Sequence, residues 1–296
     1  MKRLFLIIGI LIILGIILFV TILAANGWDF TKLSTAKYQS NSYTLEEGFK
    51  NISVSTNTAD VTLILSDGPC KVECYEQENM THRVSVQDGK LEISVNDTRK
   101  WYGHISLFSF DTPKITVYLS PAEYAALSIR TDTGDVEIPK DFRFESVDIA
   151  VSTGDVKCYA SANGQIKIKS STGDILAESI SADILNLTVS TGKTTLKDAQ
   201  CNNLRSEGDT GDLHLQNVIA KETFSIERST GDVKLDRCDA AEIEIETDTG
   251  NVTGSLLSPK IFWAETDTGR VDVPKSTTGG RCQIETDTGN IKITTP

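Results

Sequence analysis

Nine Thr-Gly pairs recur at a regular interval in the C-terminal part of this 296-residue chain, with glycines at 134, 154, 173, 192, 211, 231, 250, 269 and 289. The interval is always 19 or 20 residues. So many copies at so constant a period mark a repeat architecture, in which each unit is too small to bury its own apolar face and stacks on its neighbours instead. A degenerate tenth copy runs from Ile52 to Val61, with Ala59 in the glycine slot.

Aligned on glycine, the copies show apolar columns. Seven residues before it stand Leu127, Val147, Ile166, Leu185, Leu204, Phe224, Ile243, Phe262 and Cys282. The columns five before, two after and four after are also mostly apolar, with polar residues between them. That alternation has the period of a strand, not of a helix. Each copy therefore reads as a longer strand, a tight turn at Thr-Gly-Asp or Thr-Gly-Asn, a shorter strand and a corner. The predicted fold is all-β: a right-handed parallel β-solenoid of nine to ten rungs, each strand pairing with its counterpart one coil away. Glycine is expected to supply positive φ at the turn. The threonine before it falls on the inward parity. The aspartate after it (Asp135, Asp155, Asp174, Asp212, Asp232) is suited to accept turn amides.

Residues 66–120 break the period. Asp88-Gly89 between two alternating runs is a hairpin signal, and residues 114–119 read as a further strand. This β insertion is expected to cap one end of the rod, as solenoids require. The last rung ends at Pro296 and is expected to form an open end that meets a partner or is protected by its charges.

Before the repeats, Leu4 to Ala25 is an uncharged apolar run. As a helix it spans ~33 Å, enough for a hydrocarbon core and longer than the apolar region of a cleaved signal. Lys2 and Arg3 precede it and Asp29 follows, so the positive-inside rule puts the N-terminus in the cytoplasm and the rest outside. The expected division is 1–28 for a cytoplasmic stub and transmembrane signal anchor and 29–48 for a tether. Residues 49–120 then hold the degenerate rung and hairpin cap, and 121–296 the solenoid repeats. The localisation that follows is a single-pass plasma-membrane protein with an extracellular C-terminal domain.

The recurring Ser/Asp-Thr-Gly-Asp-Val-x-Ile pattern resembles the bacterial putative-adhesin domain family, a β-solenoid domain of unknown function common in Bacillota. The resemblance covers residues 48–296. It implies an extracytoplasmic, non-catalytic surface protein for adhesion or envelope-stress sensing, and it carries no binding residues across.

The formal net charge of −12 argues against nucleic acid, which needs a basic footprint, and favours cationic partners. Two outward columns concentrate that charge. Glu246/Asp248, Glu265/Asp267 and Glu285/Asp287 form a two-by-three carboxylate grid if rungs stack in register. Like charges on adjacent strands repel by of order 1 kcal/mol per pair at high effective dielectric. The grid is a candidate site for a cation or a basic peptide, set against the blander reading of a solvated face. Ca²⁺ is the metal considered, although its Gly-Gly-x-Gly-x-Asp repeat is absent; no other cofactor is expected. Cell-wall material, glycans or another protein are the remaining candidate partners.

The six cysteines are irregularly spaced and read as small buried residues, a Cys70–Cys74 disulfide being the one pairing considered. His82, His104 and His214 are isolated and read as surface residues. No nucleophile elbow, zinc motif or phosphate loop occurs. The enzyme alternative is a calcium-dependent polysaccharide-active β-helix, with Arg270 and Lys275 as nearby bases. The structural alternative is a self-assembling scaffold joined end to end through the open rung.

Overall fold

The computed structural model describes residues 2–29, 37–98 and 111–296. Among them 23 strands form one continuous hydrogen-bonded sheet that coils around a single apolar core. Equal slots of successive copies touch. Ile149 pairs in parallel with both Ile129 and Ile168, and Ile168 in turn with Leu187. On the shorter strands Val156 lies between Val136 and Ile175. The glycine-to-glycine interval is therefore one full coil. Burial follows the columns: Leu127, Ile149, Ile166, Leu185, Phe224 and Ile245 are among the residues sealed in the core, each contributing about 1.5–3 kcal/mol by leaving water.

At the corner the glycines form a ladder. A Cβ on Gly173 would lie 2.1 Å from the carbonyl oxygen of Gly154, and one on Gly250 would lie 2.0 Å from that of Gly231. Gly173 has φ +132°, but Gly250 is outside the left-handed region. Close approach of stacked turns, more than φ, is what excludes a side chain. Beside this ladder runs a second one. Asp155 N–H donates to Asp135 Oδ1 (2.8 Å), Asp174 N–H to Asp155 Oδ1 (2.7 Å) and Asn251 N–H to Asp232 Oδ1 (2.7 Å). The aspartate column does accept turn amides, those of the adjacent coil.

The threonine before each glycine is exposed in all nine copies, contrary to its expected inward parity. The strand alternation ends two residues earlier. Register passes from Val151↔Ser170 straight to Thr153↔Thr172, so the chain has already begun to turn. The last inward position is three before the glycine, held by residues such as Thr131, Ser170 and Thr247.

Both ends of the stack depart from sequence order, in the same way. At the C-terminal end, Gly280–Thr288 pairs on one side with Glu242–Thr249 and on the other with Lys260–Thr268. The final copy is thus tucked inside, and the copy before it forms the outer layer. The ladders agree: a Cβ on Gly289 would meet Gly250 O at 1.9 Å, and one on Gly269 would meet Gly289 O at 1.9 Å. This corrects the expectation that the rung ending at Pro296 is the open end. At the other end, Asn51–Thr56 lies between Tyr124–Thr133 and Lys90–Asp97, so the first copy is tucked too. Tucking gives each terminal rung two hydrogen-bonded neighbours, which ties down the segments most prone to fray.

The crossing at the C-terminal end has its own fittings. A Cβ on Gly279 would sit 1.9 Å from Pro259 O, and one on Gly280 2.0 Å from Ala241 O, so only glycine allows the two passes of chain to meet. The side chain of Lys260, 3% exposed, turns inward there. Its Nζ donates to Ala240 O (2.6 Å) and pairs with Asp239 Oδ1 (2.6 Å).

The described residues of 66–120 do supply the cap, joined by Tyr38–Thr44, a strand from within the stretch expected to be only a tether. Lys71–Gln77 runs antiparallel to Lys114–Leu119 and to Tyr38–Thr44, and Met80–Gln87 runs antiparallel to Lys90–Asp97. Asp88 and Gly89, at φ 51° and 71°, make the expected tight turn between the last two. The cap also holds the outermost layer itself, since Lys90–Asp97 and Lys114–Leu119 continue the parallel stack.

The apolar run forms a helix, Lys2–Ala25. It ends in a Schellman pattern: Trp28 N–H bonds Leu23 O (2.9 Å) and Gly27 N–H bonds Ala24 O (3.0 Å), with Gly27 at φ 71°. Its segment Ile7–Ala25 is long and apolar enough to cross a membrane, a property that an N-terminal signal sequence shares.

Candidate functional site

The parallel register carries the sequence-predicted carboxylates into one array. Glu246 lies opposite Glu285, and Glu285 opposite Glu265. Layer exchange therefore sets the order as Glu246, Glu285, Glu265 and, on the flanking column, Asp248, Asp287, Asp267. The column also extends inward along the rod, since Glu227 pairs with Glu246 and Glu207 with Glu227. All six predicted residues are exposed. Among the described residues none of the six has a basic group within ion-pair distance. Glu285 Oε1 accepts a bond from Gln283 Nε2 (2.6 Å). Glu207, at the inner end, is paired with Arg205.

Among the described residues the array runs to an uncovered edge. Among the described residues Lys260–Thr268 pairs on one side only. In this layer Phe262, Ala264 and Val273, which sit in core columns, are only partly buried, and Val271 is 44% exposed. Trp263 is 53% exposed, with the Arg281 guanidinium 5.5 Å from its ring centre. Apolar surface, free strand hydrogen-bonding groups and Glu265 and Asp267 thus coincide on a single strand.

Arg228 was not singled out from the sequence. It occupies the last inward position of its copy and is 2% exposed. The facing residue is Gly208, where a Cβ would lie 2.1 Å from Arg228 Nη1. Its Nη2 donates to Ser206 Oγ (2.8 Å), and burial lowers its pKa to about 10, against the raising fields of Asp209 and Glu207. The signal was present: Ser206 and Gly208 interrupt two columns one copy before an arginine on the inward parity.

A second cluster lies inside the cap, and it corrects the reading of His82 as a surface residue. Strand alternation on Lys71–Gln77 turns Val72, Cys74 and Glu76 inward, and on Met80–Gln87 it turns in Met80 and His82. Glu76 is fully buried and His82 is 4% exposed. Glu76 Oε2 accepts from His82 N–H (2.7 Å) and contacts His82 Nδ1 (2.7 Å), while Glu76 Oε1 accepts from Asn41 Nδ2 (2.6 Å). His82 Nε2 lies 2.9 Å from Thr56 Oγ1. Tyr43 Oη donates to His82 O (3.2 Å). Burial, reinforced by the Glu76 charge, pushes the Cys74 thiol up to about 12. Five of the six cysteines are buried, and all six are free, Cys70 and Cys74 included. His214 is partly exposed on the rod, where burial and the nearby Lys234 and Lys193 lower its pKa. His104 lies outside the described residues.

Two solved structures share this architecture. The putative adhesin of Parabacteroides distasonis ATCC 8503 is 14% identical, with a TM-score of 0.50 over 88% of this chain and 98% of its own. The putative lipid binding protein of the same organism is 15% identical, with a TM-score of 0.53 over 88% and 98%. At such identities the likeness is one of fold. No curated protein matches the chain. The family model described as Toastrack DUF4097 matches residues 49–296, from the tucked first rung to the end, and the chain belongs to that family.

Proposed function

We propose that the protein is a non-catalytic surface binding protein whose ligand docks on the uncovered C-terminal end of the rod. In this reading residues 4–25 anchor it in the plasma membrane, in an adhesive or envelope-sensing role, and the β body lies outside; that body takes in Tyr38–Thr44, a paired cap strand from within the expected 29–48 tether. The single observation that carries the docking site is the in-register carboxylate array ending on a one-sided strand. An extended basic segment fits it best. Its backbone pairs with Lys260–Thr268 as an added strand, and its lysines or arginines meet Glu246, Asp248, Glu265, Asp267, Glu285 and Asp287. The neighbours named as an adhesin and a lipid binding protein support a binding role of some kind.

The test is binding of a labelled cationic peptide to the full-length chain in nanodiscs, at low and high salt. Reversal of Glu246, Glu265 and Glu285 to lysine is expected to abolish binding that is already salt-sensitive in the wild type. Undiminished affinity in the triple variant overturns the reading. Thermal melts with Ca²⁺ and with EDTA decide whether a metal ion replaces the peptide; an unchanged midpoint removes calcium. The open edge also favours a second reading, tail-to-tail association of two copies through Lys260–Thr268. A sedimentation coefficient independent of concentration excludes it.

A further inference from the structure

We propose that Cys74, Glu76 and His82 form a binding site for a zinc-like divalent ion inside the N-terminal cap. Their ligand atoms, one sulfur, one carboxylate oxygen and one ring nitrogen, all lie within 4.8 Å of one another, and all three residues are buried. A thiolate, an imidazole and a carboxylate together suit zinc and its chemical relatives better than calcium or magnesium, which take oxygen donors.

The surroundings are arranged as metal sites require. Glu76 and His82 each have two possible donor atoms, and the far one is held from outside: Asn41 holds Glu76 Oε1, and Thr56 holds His82 Nε2. Glu76 Oε2 and His82 Nδ1, 2.7 Å apart, are the atoms not held by those outside side chains, and outer partners of that kind orient metal ligands. Thr56 is suited to both states of the site. With Nδ1 protonated and donating to Glu76, a neutral His82 accepts at Nε2 from the Thr56 hydroxyl. With a metal on Nδ1, the proton resides on Nε2 and the same hydroxyl accepts it. Binding of the ion releases one proton from the thiol. Three protein donors leave a fourth position for water or a small ligand.

The same residues explain what the ion does. Cys74 and Glu76 sit on Lys71–Gln77, His82 on Met80–Gln87, Asn41 on Tyr38–Thr44 and Thr56 on Asn51–Thr56. One ion joins the cap strands and, through Thr56, fastens them to the tucked first rung.

The test is titration of the full-length, EDTA-stripped protein with Co²⁺ and then Zn²⁺. Expected are one Co²⁺ per chain, a thiolate-to-cobalt charge-transfer band in the near ultraviolet, and its bleaching by Zn²⁺. Saturating Zn²⁺ should also raise the melting midpoint by about 5–10 °C. Cys74→Ser should lose the charge-transfer band. Wild-type protein without that band overturns the proposal, whatever the variants do. So does a Cys74→Ser chain that retains it.

Discussion

The two ends of this rod solve one problem differently. At each, the terminal copy of the repeat is threaded one layer in, so that neither Asn51–Thr56 nor Gly280–Thr288 is an edge. The N-terminal end then adds antiparallel strands that cover the outermost layer, closed by the buried Glu76–His82–Thr56 chain of contacts. Among the described residues the C-terminal end adds nothing over Lys260–Thr268 and leaves its core residues half-wet. Securing the terminal copy and covering the edge are thus separate tasks. An end that performs only the first leaves a strand paired on one side, the surface on which the proposed docking rests.

Substitutions can break that contrast. The largest effect belongs to the closed end: Glu76→Ala, melted in EDTA, removes the acceptor for the His82 ring and backbone amide and should cost about 3–5 kcal/mol. Gly289→Ala, in the tucked last rung, forces a Cβ against Gly250 O and should cost about 2–4 kcal/mol, with hydrogen exchange rising in 260–296 and not in the cap. Lys260→Ala strands Asp239 beside the crossing; about 1–3 kcal/mol is expected, read from denaturant midpoints. Trp263→Ala touches only the open face. Its stability should change by less than about 1 kcal/mol while peptide binding weakens, a separation that a joint melt and binding assay detects.

Much of this was legible in the residues. The spacing of the glycines and the alternation around them specified parallel coils, because only stacking buries columns with that pattern. The in-register carboxylates followed from the same logic. The order of the last two coils did not, since Lys260–Thr268 and Gly280–Thr288 carry the same Glu-Thr-Asp-Thr ending, and a period says which slots are equivalent without saying which coils adjoin. Gly279-Gly280 was the trace left by the crossing. The exposed threonines were misread because parity was extended through a residue at which the chain already bends. The cap cluster was readable in part: Glu76 and Cys74 share the inward parity of Val72, but the partner His82 comes from another strand of an aperiodic region.

The layer order at the C-terminal end underlies the exposed edge and with it the proposed docking site. A double-cysteine variant, Glu246→Cys with Glu285→Cys, tests it most directly when compared with Glu246→Cys plus Glu265→Cys. Adjacent in-register strands place Cα atoms within disulfide reach, about 5 Å, and a strand two layers away is about 10 Å distant. Under mild oxidation the 246/285 pair should cross-link quantitatively, as read by mass spectrometry of tryptic peptides, and the 246/265 pair should not. The reverse outcome would restore sequential stacking, bury Lys260–Thr268 between its neighbours, and remove the edge on which the binding surface depends.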